Sequence, residues 1–136
     1  MHIVVHFIQR SNAVSNVFRD QAKFMNACGQ TVGKRNQDQF DLYLKLIQEE
    51  VDELQTAVDD NDRVEQLDAL IDIMVVTVGA VQSLGVDGEG AWKEVMSTNF
   101  AKIDSLTGRV RKREDGKVMK PTGWQPPELS KYINKE

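Results

Sequence analysis

Cysteine, histidine and proline are all scarce in this chain, at one, two and three residues of 136. A lone Cys28 can form no intrachain disulfide and has no motif around it that would make it a nucleophile, so a reducing, cytosolic setting is expected. His2 and His6 are four residues apart, but the run from His2 to Ile8 alternates loosely. It reads as a short strand or an extended lead-in, and a shared metal would need a helix there. No long hydrophobic run is present. The longest, Leu70 to Leu84, is broken by Asp72, Thr77, Gln82 and Ser83, which leaves it too short and too polar to span a bilayer. The opening Met-His-Ile-Val-Val-His has no basic region ahead of an apolar one, so a secretory signal is not expected. Internal repeats and low-complexity segments are absent as well. What remains is a chain with 40% hydrophobic residues, the composition of one globular domain large enough to bury a core.

Charge is plentiful but unevenly placed. Residues 1–100 hold 8 Lys/Arg against 16 Asp/Glu, a net of −8, and residues 101–136 hold 9 against 5, a net of +4, which together make the overall −4. An acidic body with a basic tail argues against a nucleic-acid-binding surface spread over the domain. It suits a site where metal and phosphate meet and the tail supplies cations. A merely solvated basic tail is the plainer alternative.

The acids fall into two clusters. One is Glu49, Glu50 and Glu53, in Leu46-Ile47-Gln48-Glu49-Glu50-Val51-Asp52-Glu53-Leu54; the other is Asp68 and Asp72, in a stretch that is otherwise almost wholly apolar. Burying an ionised carboxylate without compensation costs several kcal/mol, so such groups pair, neutralise or bind a cation. Too few Lys and Arg lie nearby to pair them. Oxygen donors without Cys or His suit Mg²⁺ or Mn²⁺, not zinc.

Hydrophobic periodicity predicts four helices and a tail. The first starts at Ser11 or Asn12, runs through Val14, Val17, Phe18, Phe24 and Met25, and stops at Gly29. Gln30 to Gln39 reads as a loop. The second helix spans about Asp41 to Val58, with Leu44, Ile47, Val51, Leu54 and Val58 as its core stripe. The third runs from about Arg63 to Leu84, capped by Asn61 or Asp62 and ended by Gly85. It is apolar on nearly every side beyond Leu67, so it is either central to a bundle or part of an oligomer interface. The fourth begins near Asp87 to Gly90 and carries Trp92, Val95, Met96 and Asn99. Trp92 and Phe24 are expected in the core. Thr107-Gly108 and Asp115-Gly116 are turn signals that suggest a small hairpin, and Pro121, Pro126 and Pro127 keep the rest extended. The chain is therefore expected to be all-α and a single domain over 1–136. A four-helix-bundle-like protomer covers about 11–100, an extended basic C-terminal tail covers 101–136, and the whole is expected to be oligomeric.

A short turn near residue 61 forces the second and third helices into an antiparallel hairpin. Facing residues in a hairpin have numbers with a near-constant sum, and Glu50 with Asp72 gives 122 while Glu53 with Asp68 gives 121. Asp68 and Asp72 share a helix face, about 6 Å apart along the axis. The four carboxylates are thus expected to meet across the helix pair. Glu65 lies on the same face but nearer the turn, where an acid in the first helical turn favours the helix N-terminus.

Glu49-Glu50-Val51-Asp52-Glu53 resembles the EExxE motif of the MazG-type all-α nucleoside triphosphate pyrophosphohydrolases, a superfamily that includes dimeric dUTPases and phosphoribosyl-ATP pyrophosphohydrolase. The partner motif there is ExxD on the next helix, and Asp72 resembles its aspartate. The chain departs from the pattern three residues earlier, where Ala69 stands in place of Glu. Asp68 is one candidate for the fourth acid and Glu65, in a literal Glu65-to-Asp68 ExxD, is the other; register favours Asp68. Ser97-Thr98-Asn99-Phe100-Ala101-Lys102 and Glu114-Asp115-Gly116-Lys117-Val118-Met119-Lys120-Pro121 resemble segments of a MazG-like subgroup, so the likeness covers about residues 14–128. It implies Mg²⁺-dependent hydrolysis of a nucleoside triphosphate, a deoxynucleotide by preference, between the α and β phosphates. Two or more Mg²⁺ (or Mn²⁺) ions would sit on Glu50, Glu53, Asp68 and Asp72. Glu49 would orient or deprotonate the attacking water. Asn99, Lys102, Lys117 and Lys120 would hold phosphates, and Arg19, Gln30 and Arg35 are further groups within reach of a nucleotide. Trp124 reads as a latch for the tail, with stacking on a base as the alternative.

The implied setting is a cytoplasmic homodimer or homotetramer acting on a small molecule, with no nucleic-acid polymer and no membrane as partner. A different class stays open, a non-catalytic helical bundle that binds nucleotide or metal as a sensor. A di-iron carboxylate bundle is disfavoured because those sites use Glu-x-x-His pairs and neither histidine lies near the acids.

Overall fold

A computed structural model describes residues 15–134. Among them four α-helices form: α1 (Val17–Ala27), α2 (Gln37–Asp59), α3 (Arg63–Gln82) and α4 (Gly88–Phe100), followed by a single 3₁₀ turn at Ser130–Tyr132. No regular strand occurs among the described residues, so the chain is all-α, as its periodicity predicts. The extended lead-in and the His2/His6 pair lie outside the described residues.

Each helix starts at a side chain that accepts a hydrogen bond from an otherwise unpartnered N–H of the first turn. Asn16 caps α1, accepting from the Phe18 and Arg19 amides, so the helix begins at Val17 and Ser15 and Asn16 are not helical. The expected start at Ser11 or Asn12 lies outside the described residues; the helix that carries Phe18, Phe24 and Met25 begins at Val17. Asn36 caps α2 through the Gln39 amide at 3.1 Å, which brings Gln37, Asp38 and Gln39 into the helix. That polar first turn looks like a loop by hydropathy, and its capping chemistry overrides the reading. Asp62 caps α3 through the Glu65 amide, while Asn61 takes the left-handed backbone of the tight turn, with φ +52°. Asp87 caps α4.

The most extensive helix contact is the antiparallel α2–α3 hairpin, with α1 packed on α3. Its core holds Met25, Tyr43 and Ala80, with Val32, Phe40, Leu46, Ile47 and Val76 around them. Ala57 and Ala69 are buried between the helices, and Gln66 Nε2 donates to Ala57 O at 3.2 Å near the turn. At the far end the Tyr43 ring lies so close over Gly79 that any Cβ there would overlap it.

The core is more polar than hydropathy suggests. Buried Gln39 accepts from the Thr31 amide at 2.9 Å and donates to Thr31 O at 2.7 Å and Ser83 Oγ at 2.8 Å. Ser83 Oγ in turn donates to Gly79 O. Tyr43 Oη donates to Gln30 Oε1, and Gln82 Nε2 donates to Phe18 O at 2.9 Å. The Thr31 and Gln30 bonds tie the 28–36 loop to α2, the Gly33 and Asn36 amides tie it to Gln82 O and Ser83 O at the end of α3, and Gln82 joins α3 to α1.

Several expected core residues are not covered by this chain. Leu44, Val51 and Val58 of the predicted α2 stripe are 41–51% exposed, and Phe24 and Trp92 are 63% and 60% exposed. The α2 core stripe instead runs through Gln39, Phe40, Tyr43, Leu46, Ile47, Leu54 and Ala57, the residues that face α1 and α3. On α3, Leu67, Leu70, Ile71 and Met74 are likewise about half exposed or more, so α3 is not buried on all sides within one chain.

The segment after α4 is stapled by local turns. Single antiparallel bridges, Ile103 with Val110 and Lys112 with Val118, close two tight turns where a regular hairpin was expected. Its C-terminal part returns to α4. Glu94 accepts from the Glu128 amide at 3.1 Å, and its other oxygen takes the Lys131 ammonium at 3.2 Å and the Tyr132 hydroxyl at 3.3 Å. The Glu128 amide and the Lys131 ammonium hold the Glu94 carboxyl below the usual carboxylate range.

Candidate active site

Tyr43 and Gly79 have residue numbers that sum to 122, the same as Glu50 and Asp72. Glu50 is two helical turns along α2 from Tyr43, and Asp72 is two turns along α3 from Gly79. The face that buries the tyrosine therefore carries both acids. Glu50 is half-buried, and its Oε2 is shielded from solvent without a hydrogen-bond partner. Its carboxyl is pushed up to about 7. Burial is the main cause, followed by a hydrogen bond with Glu53 and the charges of Glu53, Asp72 and Asp68. The quartet named from register thus forms one electrostatic unit centred on Glu50. Glu65 is not among the groups that perturb Glu50. Its backbone amide donates to Asp62 Oδ1 at 3.1 Å.

Among the described residues, none of the ion pairs involves Glu50, Glu53, Asp68 or Asp72; the pairs are Arg19–Glu89, Arg113–Asp115 and Lys131–Glu94. A half-buried carboxyl raised by three neighbouring acidic charges, with no ion pair to any of the four, has the donor chemistry that suits a hard divalent cation. No three His, Cys, Asp or Glu side chains among the described residues converge into a ready-made cage. The fit to Mg²⁺ therefore rests on the donor chemistry and on the orphaned Glu50 oxygen.

Glu49 is exposed beside the quartet on α2. Asp52 lines, with Glu53, Thr56, Ala57, Asp60, Asp62 and Glu65, an open cleft of about 400 Å³ running from the quartet toward the α2–α3 turn. From sequence, Asp52 reads as pointing away from the acids.

The basic candidates gather separately. Lys102 Nζ donates to Asn99 Oδ1 at 3.1 Å, and Lys102 and Lys120 both lie against the Trp124 ring. Lys117 is apart from them, in the turn where its amide donates to Asp115 Oδ1 at 3.0 Å. Gln30 is engaged by Tyr43, Arg19 by Glu89 at 3.6 Å, and Arg35 by Gln37 at 3.3 Å, so all three have intramolecular partners.

An all-α hairpin with acidic residues on both helices, and neither cysteine nor histidine among the groups that perturb Glu50, presents a carboxylate-based helical site. The family model for phosphoribosyl-ATP pyrophosphohydrolase matches residues 29–99, from the loop before α2 through nearly all of α4. The match covers more than half of the chain and all four acids, so the chain belongs to this family, within the MazG-like all-α nucleoside triphosphate pyrophosphohydrolase superfamily. Membership points to a pyrophosphohydrolase activity on nucleotides, a hydrolase acting on acid anhydrides. A search of curated proteins returns no match.

Proposed function

We propose that this protein hydrolyses a nucleoside triphosphate, by preference a deoxynucleoside triphosphate, to the nucleoside monophosphate and pyrophosphate. The observation that carries the reading is the half-buried Glu50 carboxyl, its Oε2 without a hydrogen-bond partner, set against the charges of Glu53, Asp72 and Asp68 in a pyrophosphohydrolase-family hairpin. Glu50, Glu53, Asp68 and Asp72 are the residues that would hold Mg²⁺ (or Mn²⁺), two or more ions. Bound there, the metal neutralises phosphate charge and lowers the pKa of water. Glu49 is exposed on the same helix and is the group assigned to orient the attacking water and take its proton. The water oxygen forms the new bond to the α phosphorus, the bond from that phosphorus to the α–β bridging oxygen breaks, and pyrophosphate leaves. Asn99, Lys102, Lys117 and Lys120 offset the charge of the phosphate chain and the leaving group.

The half-exposed apolar residues Leu67, Leu70, Ile71 and Met74 on α3, with Leu44, Val51 and Val58 on α2, support a homodimer or homotetramer that covers them. No helix among the described residues is long and apolar enough to cross a membrane, and a cytoplasmic setting fits a nucleotide substrate. Pyrophosphate release from a panel of ribo- and deoxynucleoside triphosphates, with Mg²⁺ and with EDTA, tests the reading. Turnover of at least one nucleotide that is lost in EDTA is expected. Absence of turnover across the panel would sink the enzymatic reading and leave the sensor.

A further inference from the structure

Two of the basic side chains beyond α4 meet at one indole. Lys102 Nζ lies 5.1 Å and Lys120 Nζ 4.8 Å from the centre of the Trp124 ring. The two ammonium groups are therefore at most about 10 Å apart, each drawn in by the negative face of the ring. Left to themselves, two lysines on flexible stems repel and keep their rotamer freedom. The indole is itself anchored. Trp124 Nε1 donates to Thr98 O at 2.7 Å, in the last turns of α4. The Trp124 amide donates to Pro121 O at 3.0 Å across a turn in which Gly123 has φ +81°. A cavity of about 370 Å³ opens beside the ring, lined by Ser97, Thr98, Ala101, Thr122 and Gln125 among others. None of the ion pairs among the described residues uses Lys102 or Lys120, so both charges are free to meet an anion.

We propose that Trp124 is a positioning residue for polyphosphate: it holds Lys102 and Lys120 together so that both grip one phosphate chain. This rests on the reading of those two lysines as phosphate-holding groups. The latch to Thr98 then has a second purpose, since the same bond that fixes the tail fixes the spacing of the two cations. The ligand class is a linear polyphosphate, free or as the chain of a nucleotide.

Calorimetric titration of the full-length chain with inorganic tripolyphosphate in EDTA tests this without the acidic quartet's metal. Lys102→Gln and Lys120→Gln are each expected to weaken binding. Trp124→Leu keeps an apolar anchor but has no π face, and is expected to weaken binding about three- to tenfold. Trp124→Phe restores the face but not the Thr98 bond, and is expected to recover part of that loss. Wild-type affinity in Trp124→Leu alongside weakened lysine variants overturns the inference and leaves the lysine reading standing. Wild-type affinity in both lysine variants overturns the lysine reading, and the inference with it. Should Trp124→Leu fail to fold, the Trp92→Phe variant leaves Trp124 as the sole tryptophan of the two in the chain. Its emission is expected to shift on saturation with tripolyphosphate, and an unchanged emission overturns the inference.

Discussion

Glu50→Gln isolates the electrostatics of the acidic quartet. In the unfolded chain this carboxyl ionises near 4.5, whereas in the native protein it keeps its proton to about 7. Between those values the native state binds more protons, so stability falls as pH rises through the window and the loss is complete above about 7. At about 1.4 kcal/mol per unit the whole shift would be worth roughly 3 kcal/mol, but solvent screening and the titration shared with Glu53, Asp68 and Asp72 bring the loss to on the order of 1 kcal/mol. A neutral glutamine does not titrate. In EDTA and at fixed protein concentration, the variant is expected to match the wild type near pH 4.5 and to exceed it by on the order of 1 kcal/mol at pH 8, a Tm difference of a few degrees, roughly 3–5 °C. Urea denaturation at several pH values measures it. Added Mg²⁺ is expected to stabilise the wild type more than the variant, because a ligand stabilises the state that binds it. Parallel stability-versus-pH curves for the two proteins would refute the reasoning, since they would mean that Glu50 ionises in the native state as it does in the unfolded chain.

Three further substitutions reach other parts of the argument. Asp72→Asn is expected to lower pyrophosphate release at least about 100-fold while the far-ultraviolet circular dichroism stays helical; loss of the helical signal would assign Asp72 a structural role instead. Gly79→Ala places a methyl group into the Tyr43 ring and should cost about 1–3 kcal/mol in denaturant unfolding, with Tyr43→Leu in the same chain recovering part of it. An unchanged midpoint in Gly79→Ala would contradict the close α2–α3 approach. Ile71→Lys puts a charge on the uncovered α3 face and is expected to weaken self-association about tenfold or more by sedimentation equilibrium; an unaltered distribution of species would place the interface elsewhere.

The helices and the pairing of α2 with α3 were legible because both are local properties. A 3.6-residue period, a capping side chain and a short turn between two long helices determine an antiparallel hairpin whatever the rest of the chain does. The place of Glu50 opposite Asp72 follows from that turn, since register propagates along rigid rods at a fixed rise per residue, and the Tyr43–Gly79 approach lies on the same register. The start of α2 was less legible, because Asn36 and the polar Gln37-Asp38-Gln39 look like a loop until the cap is counted.

Which face each helix buries was settled by packing across the chain. Leu44, Val51 and Val58 have the spacing of a core stripe but stay half exposed, whereas Gln39 and Gln82 are buried because long-range partners satisfy their amides. Hydropathy assigns a side chain by its own chemistry and cannot price hydrogen bonds supplied from 44 or 64 residues away. The basic tail shows the same division. Its lysines and its tryptophan are evident in composition, but only the return of the chain onto the end of α4 brings Lys102, Lys120 and Trp124 together. By itself the sequence determined an all-α hairpin with four acids in register. The tertiary structure decided the perturbation of Glu50, because its burial and the nearness of charges on the two helices depend on distances that exist only once the helices have packed.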